Sequence, residues 1–543
     1  MSMQQSPLRT TARRATDSAS SEGRQPAEPA EPTGPAETAA PVPSAAKRRA
    51  LTLLTVLPPA VVALYRCLDG IGSRQLWRDE HASWWAATLD FEDLRALLGT
   101  IDAVIAPYYL LLRLWITGFG DSAASMRTPS ALAMALAAAV TAALGRRLAV
   151  RSGVSRTGLA ASLTGLGAGL AFALLPAVAR YGQEARPYAF SVLAVVVSTL
   201  LLLRALEQPS ASRWAWYAAS VTLVGAAHLV SLLVLAAHLL AALTLALRDR
   251  DRAAFWYWAL AALAGVGGIA TLLLRGNGQS KQIAWNNPTL DDLTGLPREL
   301  FGSWSTAAVV LGLAVIGLWP ARRHAGLLVC WIVLPPVLTY VTVDRLHLFL
   351  ERYLLFTLAP CVLLAAAGAG WLLSPLGRAA VGRVVAGLLG TALLGGIAFL
   401  AQPAMATLGD NPKSEPDYRG TADLLAAQTK PGDGMVINSQ LNARRALAYE
   451  LRDRQAPTDI LLQYYPEDLG RFQGVECTDP SECARFTDRL WLVSTAVGPN
   501  PLAQLPKATQ DVLNQQFKVV DTKQLHDVKL VLLERTQPAP GEE

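Results

Sequence analysis

The sequence is short of charge. Only 17% of its 543 residues are Asp, Glu, Lys or Arg, while 52% are hydrophobic. A soluble chain of this length needs more charge to cover its surface. Histidine and cysteine are scarce as well, at 6 and 5 residues, and they never take the spacing of a zinc site. Walker and GxGxxG loops are absent, which removes the usual nucleotide cradles. No internal repeat is visible. Residues 1–46 contain almost no large apolar side chain. Rich in Pro, Ala, Ser, Thr and Glu, they cannot bury enough surface to fold and read as a disordered cytoplasmic tail. The Arg13-Arg14 pair precedes no apolar stretch before Leu51, so it is no twin-arginine signal.

What is present is a series of apolar runs of roughly 17–25 residues, the length that crosses a bilayer core. They fill residues 47–402. Arg and Lys gather in the short loops between them, where they set orientation. The net charge of +6 is therefore a topology signal and not a mark of nucleic-acid binding. Lys47-Arg48-Arg49, Arg146 to Arg156, Arg248 to Arg252, Arg322-Arg323 and Arg378 to Arg383 read as cytoplasmic. Parity then yields about eleven spans, with the N-terminus inside and the C-terminus outside. The first covers Leu51–Leu68, the second Pro129–Leu148, the third Thr157–Ala179, and the fourth ends near Arg204. Trp214–Leu247 suits two short spans with His228 near their outer turn, and the last span ends near Gln402. Asp69–Thr128 is one long outer loop, in which Tyr108–Phe119 reads as an interfacial helix. Arg180–Pro187, Arg275–Phe301 and Asp344–Arg352 are further outer loops.

Residues 403–543 change character. Met435–Ile437, Arg489–Ser494 and Val528–Leu533 read as short buried strands, with helices over Arg419–Gln428 and Asn442–Leu451. The expected fold is thus a mostly α polytopic helical bundle with a C-terminal extracytoplasmic α/β domain. Cys67, Cys330 and Cys361 lie in or beside apolar runs and read as inert. Cys477 and Cys483, in CTDPSEC, are placed for a local disulfide in an oxidising compartment. Abundant Leu, Ala, Val, Gly and Arg with little Lys is the composition of a high-GC bacterial genome, with an actinobacterial source expected.

Candidate chemistry gathers at the outer loop mouths. Asp79-Glu80 follow the first span. A carboxylate there can take a proton from an attacking hydroxyl; the plainer reading is an acidic pair capping a helix that begins near Ser83. The second outer loop supplies Arg180, Glu184 and Arg186, and the segment before the tenth span supplies Glu351, Arg352 and Tyr353. Arg275 and Lys281 add positive charge on the same side. Such cations suit a phosphate, arginine above all by its fixed charge and forked geometry.

The order of these elements resembles the GT-C superfamily, in the branch of protein O-mannosyltransferases and the lipid A aminoarabinose transferase. The motifs that carry the likeness are Leu76-Trp77-Arg78-Asp79-Glu80, Pro107-Tyr108-Tyr109-Leu110, Arg127-Thr128-Pro129-Ser130, Gln183-Glu184-Ala185-Arg186-Pro187-Tyr188 and Arg352-Tyr353-Leu354. The resemblance implies Asp79 as general base, Glu184 as a second acid near the site, and Arg352 beside a donor phosphate. One departure stands out. Many relatives carry His-Pro-Pro or Glu-Lys-Pro-Pro before Tyr-Tyr-Leu, where this chain has Val104-Ile105-Ala106-Pro107. The His, Glu or Lys expected there is missing, and Asp102 is the substitute in reach.

The expectation is a plasma-membrane glycosyltransferase with its site and C-terminal domain outside the cytoplasm. It moves a sugar, mannose first, from a polyprenyl-phosphate to a glycan, lipid or protein acceptor, inverting at the anomeric carbon with Asp79 as base. The catalytic set is Asp79, Glu80 and Glu184. The phosphate set is Arg352, Arg186, Arg180, Lys281 and Tyr353. No cofactor is expected, and a divalent metal stays open. The alternative is a lipid or sugar transporter or flippase. That class places ionisable groups near the bilayer midplane and shows repeat symmetry, whereas here they sit at loop mouths.

Overall fold

The structure, a computed structural model, describes residues 45–151, 158–248, 250–410, 415–438, 442–495 and 498–536. Nearly all of the tail expected over residues 1–46 lies outside the described residues, as do Arg156 and Asp249 of the basic clusters.

The apolar runs form helices, since in lipid a helix satisfies its own backbone polar groups. Six are long and apolar enough to cross a bilayer: Arg49–Leu68, Ala123–Arg151, Tyr188–Glu207, Leu229–Arg248, Glu351–Leu373 and Ala380–Leu400. Three further pairs of helices are apolar enough only when taken together, and each is bent by more than 40° at its break: Gly158–Leu174 with Pro176–Gly182, Arg252–Gly267 with Ala270–Gly278, and Leu290–Phe301 with Trp304–Gly317. Shorter helices, Ala211–Ala227 and Ala325–Val341, stand at the two remaining expected places.

The bends have local causes. Pro176 has no N–H to continue the preceding helix, and the chain turns by 61° there. Gly302 adopts φ +80°, and the helices on either side of it meet at 88°. Ser303 Oγ then accepts the Thr306 N–H at 3.1 Å and starts the next helix. The expected outer loop over residues 275–301 is thus partly helical. Leu290, Leu293, Leu296 and Leu300 recur at helical spacing, but Asp291, Asp292, Arg298 and Glu299 mask the pattern. The long first loop is likewise built of helices, Arg78–Thr88, Phe91–Thr100 and Ala106–Phe119.

The C-terminal domain holds a five-stranded sheet in the order Thr458–Asp459, Gly434–Asn438, Arg489–Ser494, Val528–Arg535, Phe517–Leu525. The first three strands are parallel, and the last two join antiparallel. Val436, Leu492 and Val531 are fully buried within it. Strand Phe517–Leu525 and helix Lys507–Gln516 add to the elements expected from the sequence. The strand is an edge that shows most of its residues to solvent, Lys518 and Lys523 among them, so it lacks apolar alternation. Cys477 and Cys483 are joined as a disulfide.

The domain sits on the first loop. Tyr449 packs edge-on against Trp84 at 5.2 Å and His81 at 5.9 Å, and its hydroxyl donates to the Asp121 carbonyl at 3.2 Å. Arg452 pairs with Asp121 at 3.1 Å, and Gln75 Nε2 donates to the Pro416 carbonyl at 2.8 Å.

The bundle packs closely where Trp304–Gly317 crosses Leu358–Leu373. A Cβ on Gly317 would strike the Leu364 carbonyl, and one on Gly368 would strike the Leu313 carbonyl. Close backbone approach of this kind is how membrane helices pack without a hydrophobic driving force. Gly317→Val or Gly368→Val should each cost about 2 kcal/mol or more, read as a lower Tm in detergent. Gly312→Val, with open space around it, should leave Tm near wild type.

Candidate active site

The first turn of helix Arg78–Thr88 is held from inside. Glu80 is fully buried and faces Arg127, itself 1% exposed. Arg127 Nε donates to Glu80 Oε1 at 2.8 Å and Nη2 to Oε2 at 2.7 Å. The same guanidinium donates to the carbonyls of Ile71, Arg74 and Gln75 at 2.8–3.0 Å. Glu80 also accepts the backbone N–H groups of Ala185 at 2.8 Å and Trp77 at 3.2 Å. Burial would push its carboxyl up; the Arg127 charge and hydrogen bonds outweigh that and hold it below the usual range. The helix therefore begins at Arg78 and not near Ser83, with both acids in its first turn. Glu80 lines neither cavity of the site; its side chain lies in the buried pair with Arg127.

Asp79, one residue earlier, points elsewhere. Its side chain is 23% exposed and lies 3.7 Å from Arg78 and 3.8 Å from Arg186. Arg186 is 7% exposed and tied to the same helix through the Asp79 carbonyl at 3.3 Å and Ser83 Oγ at 3.2 Å. Its Nε has no partner.

Asp79 and Arg186 open on a cavity of about 900 Å³. Leu229, Val230, Leu233, Leu273 and Leu338, from the membrane helices, line one part of it. Asp102, His228, Arg352 and Tyr353 line it too. Asp102 stands in the left-handed region at φ +57° and accepts the Tyr109 hydroxyl at 2.6 Å. Burial pushes its carboxyl up, partly offset by the Tyr109 hydrogen bond. Its loop is braced by Gln279 and Gln282, which accept the N–H groups of Ala103 and Asp102. Tyr353 clusters with His228, at 4.4 Å, and Tyr188, at 6.0 Å, whose rings are 6.1 Å from each other.

A second cavity of about 810 Å³ is more polar in its lining residues and meets the first at Arg78, Arg352 and Asn442. Glu184, Arg180, Arg74 and Glu351 line it, with Glu415, Tyr418 and Asn438 from the C-terminal segment. Glu184 is 4% exposed, and Arg180 stands 4.0 Å away. Burial raises the Glu184 carboxyl to about 7 against the pull of Arg74. Arg352 belongs to both cavities, pairs with Glu351 at 3.7 Å and has an unpartnered Nε.

The expected site residues thus divide. Asp79, Arg186, Arg352 and Tyr353 share the first cavity; Glu184 and Arg180 line the second. Lys281 is exposed and lines neither. Its neighbours Gln279 and Gln282 face the cavity instead. Arg127, the partner of Glu80, had no assigned role in the sequence beyond its motif. Its signal is a charged side chain at the start of an apolar run. Among the described residues no group of three or more His, Cys, Asp or Glu side chains could hold a metal ion.

No protein-family model and no curated protein matches the sequence. Solved structures do match. ArnT from Cupriavidus metallidurans in the apo state aligns with a TM-score of 0.56 and 15% identity, over 90% of this chain and 98% of that one. The same protein bound to undecaprenyl phosphate gives 0.57 at the same identity and coverage. The oligosaccharyltransferase of Archaeoglobus fulgidus, complexed with Zn and sulfate, aligns at 0.44 and 11%, over 81% of this chain and 67% of that one. The chain shares the fold of ArnT. At 15% identity to ArnT the likeness is one of architecture, and it runs through the membrane helices and the C-terminal sheet domain alike.

Because the folded-state value of Glu184 is raised, the protein is favoured while Glu184 is protonated. That stability is present below about pH 4.5 and is lost as pH rises through about 7. The shift corresponds to a loss on the order of 3 kcal/mol. Glu184→Gln should flatten this slope and raise Tm above wild type at pH 8, with little difference at pH 5. A parallel decline in both proteins would remove Glu184 as its source.

Proposed function

We propose that this protein is a membrane glycosyltransferase that moves a sugar, mannose in the first instance, from a polyprenyl-phosphate carrier to a lipoglycan or secreted-protein hydroxyl. The observation that carries the reading is the first cavity, which joins an apolar wall of membrane helices to Asp79, Arg186 and Arg352. A carrier needs that combination: a groove for its tail and cations for its phosphate. The ArnT fold with undecaprenyl phosphate bound supports the same donor class.

In this reading the tail enters between the helices, and its phosphate lies by Arg352 and Arg186. The acceptor hydroxyl attacks the anomeric carbon and gives its proton to Asp79. The carbon–oxygen bond to the carrier breaks, and its electron pair stays on the phosphate. The stereochemistry inverts, from a β-linked donor to an α-linkage. The two arginines stabilise the charge that develops on the leaving phosphate. Tyr353 supports Arg352, whose guanidinium lies 5.7 Å from its ring. Glu184 and Arg180 belong to the polar side of the site. Positive clusters between the spans support an N-terminus in the cytoplasm and a site outside it, where no nucleotide sugar is available.

Asp79→Asn keeps shape and cannot accept a proton at neutral pH. With purified protein and a panel of radiolabelled polyprenyl-phosphate sugars, kcat should fall roughly 10²–10⁴-fold while binding of the carrier persists. Glu80→Gln should act differently, lowering stability by about 3–5 kcal/mol because a buried guanidinium loses its anion. Normal turnover by folded Asp79→Asn protein would take Asp79 out of the mechanism.

Arg352→Ala should weaken binding of undecaprenyl phosphate in nanodiscs and lower kcat together. Arg352→Lys should recover part of both, since lysine keeps the charge and loses the fork. Unchanged carrier affinity in Arg352→Ala would move the phosphate to Arg186.

A further inference from the structure

One buried cation of the first cavity has no role in the reaction just described. Arg445 stands on helix Ala443–Leu451 of the C-terminal domain and lines the same cavity as Asp79 and Asp102. It is 6% exposed. Its Nη1 donates to the Phe472 carbonyl at 2.8 Å and its Nη2 to Asn442 Oδ1 at 2.9 Å. The guanidinium lies 4.7 Å from the Phe472 ring centre, and Nε has no hydrogen-bond partner. Among the described residues no carboxylate comes within 4.0 Å of it.

The other arginines of this cavity differ. Arg78 and Arg186 pair with Asp79 at 3.7 and 3.8 Å, and Arg352 pairs with Glu351 at 3.7 Å. Arg445 is left with neutral partners, and Tyr109, Asp102 and Asp79 act on it only from farther away. Burial accordingly holds its guanidinium down to about 10. A buried charge without a counterion is costly unless a ligand supplies one. Four arginines face two carboxylates in this space, so it is built for more negative charge than the protein brings. The carrier phosphate meets Arg352, which comes from a membrane helix; Arg445 comes from the domain outside the membrane span and stands beside Gln473, also in the lining.

We propose that Arg445 is the anion-binding residue of an acceptor subsite formed by the C-terminal domain, and that the acceptor carries an oxyanion, phosphate or carboxylate, near its accepting hydroxyl. The proposal rests on the glycosyl-transfer reading and adds the chemical class of the acceptor. The C-terminal domain then forms part of the site, with Arg445, Phe472 and Gln473 as its wall.

The test uses the full-length protein in nanodiscs. First, undecaprenyl phosphate should raise Tm in wild type and in Arg445→Gln alike, since Arg445 is not the carrier's ligand. No stabilisation of the wild type would overturn the transfer reading itself. Second, inorganic phosphate is titrated with the carrier site saturated, or without carrier if that does not bind, against chloride at equal ionic strength. Phosphate should raise Tm in wild type, not in Arg445→Gln, and partly in Arg445→Lys. Third, acceptor extracts are split by anion exchange before the transfer assay. Label should enter the anionic fraction, and Arg445→Gln should raise the acceptor KM about ten- to a hundredfold with the sugar-donor KM unchanged. A phosphate response that survives in Arg445→Gln overturns the proposal. So does transfer into the neutral fraction at a wild-type acceptor KM, or a change in the sugar-donor KM alone, which would give Arg445 to the carrier. A variant with depressed Tm in every condition is judged by Arg445→Lys, which keeps the charge and the fold.

Discussion

The ion pair between Glu80 and Arg127 is the constraint on which the site depends. Taking both charges out of water is expensive, and only full hydrogen bonding in good geometry makes it tolerable. Arg127 meets that condition by forking onto the carboxylate and donating to three carbonyls of the chain before the helix. Glu80 meets it by accepting two backbone N–H groups as well, one from its own helix start and one from Ala185. Three segments distant in sequence are thereby fixed to one another: the first-loop helix, the span Ala123–Arg151 and the turn Gln183–Pro187. An alternative packing would leave a buried charge bare, which restricts the loops to this one.

The groups that line the two cavities follow from that anchoring. Ala185 is pinned to Glu80, so Arg186 next to it is delivered to Asp79 and Ser83. The other end of the turn is tied down by Gln183, whose amide donates to the Asp69 carbonyl at 2.7 Å, while Arg74 donates to the Gln183 carbonyl at 3.2 Å. Between these ties Glu184 faces the second cavity. Arg352 arrives from a different helix and borders both spaces. One short turn thus separates the first cavity from the more polar second one, and Arg78 and Arg352 stand where the two meet.

Much of this was legible in the sequence. Long apolar runs and basic loops marked the helices, because hydropathy and the positive-inside bias act locally and need no partner. Asp79, Arg186 and Arg352 were visible as charges at loop mouths. The bent helices were harder: the 88° turn at Gly302 depends on a backbone angle that no apolar count records. Arg445 was out of reach for another reason. Nothing in Asn442-Ala443-Arg444-Arg445 distinguishes the arginine on the cavity from its neighbour, which pairs with Asp459 and Glu476 at 2.7 Å. That difference exists only once the domain has docked on the first loop. Lys281 differs in the opposite sense, since a charge near the others in sequence faces solvent in the fold.

The pair Asp79-Glu80 shows why adjacency in sequence does not mean shared work. Successive residues of a helix project roughly 100° apart. In the first turn of Arg78–Thr88 that rotation sends one carboxylate to the cavity and the other into the protein. The inner acid needs a permanent cation, and Arg127 supplies it; the outer acid lines the cavity with part of its surface exposed. Moving the helix start from Ser83 to Arg78 decides the matter, because only inside the helix are the two directions set by the backbone. The inner carboxylate can therefore be tightly paired and static while the outer one stays open to the cavity, and a rigid inner pair is what keeps the outer acid aimed.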